Sequence, residues 1–493
     1  MVESDSREPV AWRGLALLAG GFVALLIVFS GRYGYHRDEL YFLAIGSHPD
    51  WGYVDQPPLI PLLAHAMDAA FGHSLVLLRL PAAIAGGCVV LVTGLIAREL
   101  GSRRPAQLFA AACMAVSSIA MAGSHLATTT AYDLLVWTLL SWLLVPAIRD
   151  DRRIWLAVGL VAGVGLEVKT LVVFLLFGVT VGLIVAGPRS VFQSRWPYVA
   201  ALIAVALWLP NLLWQAANGW PQLDLARAIA AGDSGTSDSP LAFVLLQLGL
   251  ISPVLVPVWA IGWWRLARDN VLSTWRCFAA AYAVLFVVYL TTGGKAYYIA
   301  GLYPVLLAAG AQPVLAWASR RRIRRRLLGV ALAFSLVAAS YLFLPVVPAP
   351  SVDPSPISAV NYDAGEQIGW PEFADTIESA YADLTSDERA HAIFLGGNYG
   401  ETGAVLRYAP GIPAYGVHNS LWDLGPPPAY VDTAIVVGWN EEELSGWCDD
   451  VQQVATIEND AGVDNDEDGT PVYACRGLRS TWAEIWPDLR RLG

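Results

Sequence analysis

The sequence is poor in charged residues. Only 15% of its 493 residues are Asp, Glu, Lys or Arg, whereas 56% are hydrophobic, and a soluble globular chain carries about 25% charged residues. Lysine is almost absent: the whole chain contains Lys169 and Lys295 and no other. So few charges exclude an ordinary soluble enzyme, and the hydrophobic share predicts a polytopic membrane protein.

Several nucleotide-binding and hydrolytic motifs are also missing. The chain has no phosphate-binding or dinucleotide-binding glycine loop, no nucleophile elbow and no zinc-ligand spacing. The run of arginines within 320–326 is interpreted as an anchor at the inner membrane surface. No nucleic-acid partner is therefore expected.

The charges that do occur are unevenly distributed. Residues 1–350 contain 25 Lys and Arg against 17 Asp and Glu, whereas residues 351–493 contain 6 against 25. A proline-rich joint follows Leu344 and is typical of a stiff linker. The sequence thus predicts a membrane domain over 1–350 and an acidic C-terminal domain over 351–493.

Hydrophobic runs predict the membrane spans. About 17–25 apolar residues suffice to cross the hydrocarbon core as a helix, and eleven such runs are predicted, of which the fifth is short. They lie near 12–30, 80–97, 105–122, 131–148, 154–167, 170–187, 196–214, 241–264, 276–291, 298–316 and 326–346. The expected fold is an α-helical membrane protein with about eleven transmembrane helices.

Basic residues predict the orientation. Arg98, Arg149, Arg189, Arg265 and Arg320 stand in alternate connections between the predicted spans, and such residues are retained on the cytoplasmic side. The N-terminus is therefore expected in the cytoplasm of a plasma-membrane protein. The long first connection, 31–79, with an amphipathic stretch expected to lie in the interface, and the C-terminal domain are expected outside.

The C-terminal domain has the pattern of a small α/β unit. Short apolar runs at 392–395 and 433–437 alternate with helical segments at 373–384 and 401–408. Its two cysteines, Cys448 and Cys475, would pair in an oxidising compartment; two free buried thiols are the alternative.

An acidic turn in this domain is a weak calcium candidate. Asp464, Asp466 and Asp468 precede Gly469 as in a calcium loop, but the twelfth position is Cys475 instead of a bidentate Glu. A solvated acidic turn explains the same residues.

The most informative stretch is Tyr35–Phe42 in the first connection, because it holds adjacent carboxylates, Asp38 and Glu39, at a membrane surface. A carboxylate there can act as a general base beside a lipid headgroup. A solvated juxtamembrane turn is the alternative. The connection is nearly fifty residues long, and long loops are usually functional.

An ordered set of motifs resembles a known family. They are Asp38-Glu39, Asp55-Gln56-Pro57-Pro58-Leu59, Arg79-Leu80-Pro81, Tyr132-Asp133 and Gly294-Lys295-Ala296-Tyr297-Tyr298 with Tyr303-Pro304. This set, over about residues 12–346, resembles the GT-C membrane glycosyltransferases, in particular the bacterial protein O-mannosyltransferase and aminoarabinose transferase superfamily.

The resemblance implies an inverting sugar transfer from a polyprenyl-phosphate carrier to a cell-envelope acceptor (glycan, lipid or protein) at the outer face. It implies that Asp38, of the Asp38-Glu39 pair, is the catalytic base. The departing phosphate needs fixed cations; Lys169 and Lys295 are the first candidates, and Arg37, Arg79 and His125 are further ones. The lysines are alternatively membrane anchors whose ammonium groups reach the headgroups.

Other motif residues are candidates for the sugar or acceptor. They are Asp55, Gln56, Asp133, Tyr297 and Tyr298. The aminoarabinose relatives commonly have Lys where this chain has Gln56, which weakens phosphate binding from that position. Asp55 and Asp133 could instead be helix caps. No cofactor is assigned, use of a divalent metal stays open, and a transporter or lipid flippase is the alternative function.

Overall fold

The computed structural model describes residues 8–149, 153–231 and 239–493. The chain divides into two compact units, here unit 1 and unit 2. Unit 1 comprises Met1–Ser30, Arg79–Trp220 and Ile229–Leu344; unit 2 comprises Gly31–Leu78, Pro221–Ala228 and Pro345–Gly493. The long first connection therefore belongs with the C-terminal region, whereas the sequence pattern predicted it within the membrane domain.

Unit 1 is a bundle of apolar helices. Backbone polar groups cannot pair with water inside a bilayer, so uninterrupted apolar runs become helices that pair their own backbone. Its α-helices are Trp12–Ser30, Leu75–Glu99, Arg104–Ala115, Ser118–His125, Thr129–Arg149, Ile154–Leu166, Val172–Ala186, Trp196–Ala217, Pro240–Ile251, Val256–Arg268, Arg276–Thr292, Tyr303–Ser319 and Arg322–Phe343. Each of the eleven predicted segments coincides with a helix or with a bent pair of helices.

Not all eleven segments are simple spans. Within the described residues seven helices are long and apolar enough to cross a membrane, and two bent pairs could each supply a further span. One pair bends by 80° between Ile251 and Pro253; Pro253 has no backbone N–H to continue the first helix, and Ser252 has a φ of 77°. The helices Ile154–Leu166 and Val172–Ala186 have only 13 and 15 residues.

Unit 2 contains a five-stranded sheet. The strands are β1 (Ala392–Gly396), β2 (Ala414–Gly416), β3 (Thr433–Val437), β4 (Cys448–Thr456) and β5 (Pro471–Leu478), in the spatial order β2-β1-β3-β5-β4. The first three are parallel, and β5 and β4 are antiparallel additions. β1 and β3 are buried along their whole length, as expected for the apolar central strands of an α/β sheet. The predicted small α/β domain is confirmed.

The helices of unit 2 come from both the first connection and the C-terminal region. They are Arg37–Gly46, Leu59–Phe71, Pro356–Val360, Tyr362–Gly365, Trp370–Ala382, Ser386–Ala390, Tyr399–Tyr408, Glu441–Ser445 and Trp482–Ile485, with Pro221–Ala231 extending past its boundary. A disulfide joins Cys448 on β4 to Cys475 on β5, with 5.7 Å between their Cα atoms. The described free cysteines all lie in unit 1.

Candidate active site

The helix Arg37–Gly46 opens with the two adjacent carboxylates, which have different roles. The Glu39 Oε2 atom accepts a hydrogen bond from the backbone N–H of His36 at 2.9 Å, and the His36 ring accepts one from the Asp38 N–H. This is a capping arrangement, and Glu39 is fully buried. Glu39 is predicted as a catalytic residue together with Asp38, and these contacts show that it also builds the start of the helix.

Asp38 is held by a residue from the C-terminal region. The hydroxyl of Tyr399 donates to Asp38 Oδ1 at 2.9 Å, although 361 residues separate the two. Asp38 is only partly buried and lies in the first turn of its helix, where the helix dipole favours negative charge. Among the described residues nothing donates to its second oxygen, Oδ2. Tyr399 thus holds one of the two carboxylate oxygens of Asp38.

Two glycines explain how Tyr399 comes so close. Tyr399 is the first residue of the helix Tyr399–Tyr408, which Asn398 caps together with Glu401. A Cβ on Gly400 would lie 2.8 Å from the Cβ of Arg37, and one on Gly403 would lie 2.8 Å from the Cβ of Leu40. Larger residues at both positions would push the two helices apart, so the glycines permit the contact between Tyr399 and Asp38.

A second pair of Tyr and Asp lies beside the first. The hydroxyl of Tyr41 donates to Asp55 Oδ1 at 2.6 Å and accepts from the N–H of Ser420 at 3.2 Å. Burial raises the pKa of the Asp55 carboxyl to about 6, and the negative charge of Asp38 raises it as well. The rings of Tyr41 and Tyr399 pack with their centroids 4.8 Å apart. Two carboxylates and two tyrosines thus form one continuous group.

Arg37 is already paired inside unit 2. Its Nη1 lies 3.3 Å from Glu366 Oε2 and 3.4 Å from Asp466 Oδ2, and it donates to the Tyr362 hydroxyl at 3.0 Å. Glu366 is fully buried, and removing one partner of a buried ion pair leaves an uncompensated charge. Arg37 therefore pairs with carboxylates and a tyrosine of the C-terminal region.

The acidic turn does not form a calcium site. Within the described residues no group of three His, Cys, Asp or Glu side chains could hold a metal ion. Asp466 instead contacts Arg37 and Tyr362, and Asp468 Oδ1 accepts from the side chain of Asn459 at 3.0 Å. Asp464 is exposed. The calcium interpretation is therefore not supported, since these side chains bind protein groups or face solvent.

Buried glutamates in this region make its stability depend on pH. Burial and the nearby Glu366 and Glu401 carboxylates raise the pKa of Glu467 to about 8, and burial raises that of Glu401 to about 7. An unfolded Glu has a pKa of about 4.3, so between about pH 4 and 8 the folded protein binds more protons than the unfolded one. Stability from these groups is present at low pH and is lost as the pH rises.

We expect Glu467→Gln to reduce this dependence, because Gln cannot ionise and can still accept from the side chain of Asn398, which lies 3.1 Å from Glu467. At pH 8 the variant should be more stable than wild type by a few kcal/mol, since each unit by which folding raises the pKa corresponds to about 1.4 kcal/mol. Thermal unfolding in detergent across pH 4.5–8 measures this. Glu442→Gln, at an exposed position, is the control, and an unchanged pH slope in Glu467→Gln would refute the prediction.

In unit 1 the structure brings together four predicted residues. The Lys169 ammonium nitrogen lies 5.1 Å from the ring centroid of Tyr297 and 5.5 Å from that of Tyr298, within cation–π range. Lys169 also interacts electrostatically with Asp133, which is buried. Lys169 stands between the helices Ile154–Leu166 and Val172–Ala186. The Lys169 ammonium thus lies beside two aromatic rings and interacts electrostatically with a buried carboxylate.

The remaining candidates of unit 1 lie in different surroundings. Arg79 is fully buried and donates to the carbonyl oxygen of Ser30 at 2.8 Å, at the end of the first helix, where backbone carbonyl groups have no partner within the helix. His125 is buried at the end of Ser118–His125. Lys295 immediately precedes the 3₁₀ helix Ala296–Leu302.

Gln56 belongs to unit 2 and is also buried. Its backbone oxygen accepts from the N–H of Tyr53 at 2.9 Å, so its main chain closes the turn that precedes the helix Leu59–Phe71. Gln56 directly follows Asp55, and its buried side-chain Nε2 atom has no hydrogen-bond partner among the described residues.

Tyr41 and Ser420 were not predicted as site residues. The segment from Asn398 to Glu401, which contains Tyr399, is explained equally well by an acceptor-binding segment and by a strand-to-helix turn with its capping residues. Neither interpretation predicts that Tyr399 contacts Asp38.

Comparisons with known proteins agree on one fold. Residues 55–214 match the family described as dolichyl-phosphate-mannose-protein mannosyltransferase; the match begins after Asp38. Over 218 residues the chain is 27% identical to undecaprenyl phosphate-alpha-4-amino-4-deoxy-L-arabinose arabinosyl transferase 2 of Pseudomonas fluorescens. That alignment covers 39% of this chain and 38% of the relative, so the chain spans about two fifths of that relative's length.

Solved structures match over almost the whole chain. ArnT from Cupriavidus metallidurans in the apo state has a TM-score of 0.62 at 14% identity, covering 94% of this chain and 98% of that one. The same protein bound to undecaprenyl phosphate gives a TM-score of 0.59. The arabinofuranosyltransferase AftD from Mycobacteria gives 0.52, also at 14% identity, covering 96% of this chain and 40% of that one. At these identities the likeness shows the fold.

Proposed function

Because the chain has the fold of the GT-C superfamily of membrane glycosyltransferases, we propose that it transfers a sugar from a polyprenyl-phosphate carrier to a cell-envelope acceptor. The proposal rests on one observation, the hydrogen bonding of the Asp38 carboxylate. A carboxylate with one oxygen held by Tyr399 and the other open is suited to take a proton from an acceptor hydroxyl. The relatives' names, a lipid-phosphate arabinosyl transferase and a lipid-phosphate mannosyltransferase, support the donor class.

The proposed reaction is a single displacement. The acceptor oxygen forms a bond to the anomeric carbon while its proton passes to Asp38. The bond between that carbon and the phosphate oxygen breaks, and its electron pair leaves on the polyprenyl phosphate. Attack opposite the leaving group inverts the anomeric carbon. Asp55, with a pKa raised to about 6 and a hydrogen bond from Tyr41, would position a sugar or acceptor hydroxyl.

The donor side needs a cation for the phosphate, and Lys169 is the residue we assign to it. An ammonium is a point charge that binds phosphate oxygens without a fixed plane. The Tyr297 and Tyr298 rings lie within cation–π range of this ammonium and restrain it before the donor arrives, which lowers the cost of ordering it. Lys295 is the second cation we assign to the phosphate.

We also propose that the reaction takes place on the extracytoplasmic side. The basic connections between helices support an N-terminus in the cytoplasm and a C-terminal region outside. We expect Asp464→Cys, at an exposed position of unit 2, to react with a membrane-impermeant maleimide in intact cells. We expect Arg189→Cys, exposed between two helices of unit 1, to react only after the cells are opened. The reverse labelling pattern would contradict the orientation.

A transfer assay tests the proposed function. Membranes containing the protein, and matched membranes without it, are incubated with a panel of radiolabelled polyprenyl-phosphate sugars in the presence of cell-envelope material. We expect at least one donor to pass its label to a non-donor product only where the protein is present. If purified, folded protein transfers from no donor in the panel, the proposal fails.

A further inference from the structure

The C-terminal region supplies the hydrogen bond that holds the proposed base. Tyr399 belongs to the α/β part of unit 2, and its hydroxyl is the donor found for the Asp38 side chain among the described residues. Its ring is fixed on several sides, by Tyr41 at 4.8 Å, by His418 at 4.9 Å between ring centroids, and by the Arg37 guanidinium at 5.6 Å. A hydroxyl on so constrained a ring has little freedom to point elsewhere.

The electrostatic surroundings keep the Tyr399 hydroxyl protonated, so that it can donate its hydrogen bond to Asp38. Burial and the adjacent Asp38 carboxylate raise the pKa of the Tyr399 hydroxyl well above its ordinary value, so Tyr399 keeps its proton at physiological pH. A hydrogen bond from a neutral hydroxyl to a carboxylate is charge-assisted and stronger than one between neutral groups. It stabilises the ionised form of the acceptor and fixes which of the two oxygens remains open.

Resting on the function proposed above, we propose that Tyr399 is a positioning residue for the transfer: its hydroxyl orients the Asp38 carboxylate so that Oδ2 takes the acceptor proton. The C-terminal region then completes the active site, and its close packing through Gly400 and Gly403 serves the chemistry. A purely structural role predicts a different outcome, because loss of the hydroxyl would then change the stability and leave the reaction of the folded protein unaltered.

The test compares full-length Tyr399→Phe with wild type. Phe keeps the packed ring and removes only the hydroxyl. We expect kcat to fall about 10- to 100-fold, as for the loss of one hydrogen bond to a charged group, with the KM for the donor within about twofold of wild type. The acidic limb of the pH–rate profile should move to higher pH, because the ionised base has lost a stabilising donor.

A matched control and a second variant separate the two roles. Tyr381→Phe removes a hydroxyl of the same region that donates only to the backbone oxygens of Arg389 and Ala392, so its kcat and pH profile should stay as in wild type. Incorporation of 3,5-difluorotyrosine at position 399 keeps the ring and makes the hydroxyl a stronger donor. We expect it to move the acidic limb to lower pH.

The positioning role of Tyr399 and the proposed function are contradicted by different results. Wild-type kcat and pH profile in folded Tyr399→Phe, or shifts of the same sign in both position-399 variants, would overturn the positioning role and leave the proposed function standing. A wild-type protein that transfers no sugar would overturn both. Thermal unfolding of each variant shows that the comparison is between folded proteins.

Discussion

Asp38→Asn is expected to lower kcat by about 10²–10⁴-fold, the contribution typical of a general base. Asn has nearly the same shape as Asp and can still accept the hydrogen bond of Tyr399, so the fold and the packing of the two helices should persist. Its amide cannot take the acceptor proton, however. Binding of the polyprenyl-phosphate donor should stay within about twofold of wild type, which equilibrium binding to the purified variant measures.

The matched control for this variant is Asp50→Asn, since Asp50 is an exposed carboxylate of the same first connection. It should retain wild-type transfer. Substantial activity in folded Asp38→Asn would remove Asp38 from the role of base. Loss of donor binding in that variant would instead make Asp38 a binding residue.

Lys169→Met is expected to lower kcat/KM for the donor by about 10- to 100-fold. Loss of a charge-assisted contact costs on the order of 1.5–3 kcal/mol, and each 1.4 kcal/mol is about a tenfold change in affinity. The same variant should bind free polyprenyl phosphate more weakly by a similar factor, because the lost contact is to the phosphate and not to the sugar. Titration of the purified protein with the lipid phosphate measures this.

Two variants accompany this measurement. Lys169→Arg keeps the positive charge and should retain most of the lipid-phosphate affinity. Arg189→Met removes a cation from another helix end, where the side chain donates to the backbone oxygen of Ile184, and should leave binding unchanged. Equal affinity of wild type and Lys169→Met for the lipid phosphate would show that Lys169 only anchors its helix end.

The helical layout of unit 1 follows from the sequence because membrane spans are set by local composition and length. What hydropathy cannot show is the path of the backbone inside an apolar run. The segment near 241–264 was predicted as one span, yet the chain turns by 80° at Ser252 and Pro253. Averaged hydrophobicity is the same for a straight and a bent helix, and it carries no information on the positive φ of Ser252.

In the candidate site, too, the sequence predicts individual residues and not the contacts between them. The motifs make Asp38 a candidate base and make Lys169, Asp133, Tyr297 and Tyr298 separate candidates, but they do not predict that these last four residues meet.

Partners from distant parts of the chain could not be anticipated either. Arg37 is a phosphate candidate in the sequence because the departing phosphate needs a cation near the outer ends of the spans, but its guanidinium contacts Glu366 and Asp466, more than three hundred residues away. The contact between Tyr399 and Asp38 could not be predicted for the same reason.

The chemical fate of the sugar shows most directly whether the chain is a glycosyltransferase. Purified protein in liposomes is given a donor that is active in the panel, labelled in the sugar, together with the acceptor material. Chromatography then separates label that is still on polyprenyl phosphate from label on a new product. If the chain is a transferase, the label leaves the phosphate, free polyprenyl phosphate appears in equal amount, and Asp38→Asn blocks both. Label that crosses the bilayer but stays on its carrier would contradict a transferase and indicate a flippase.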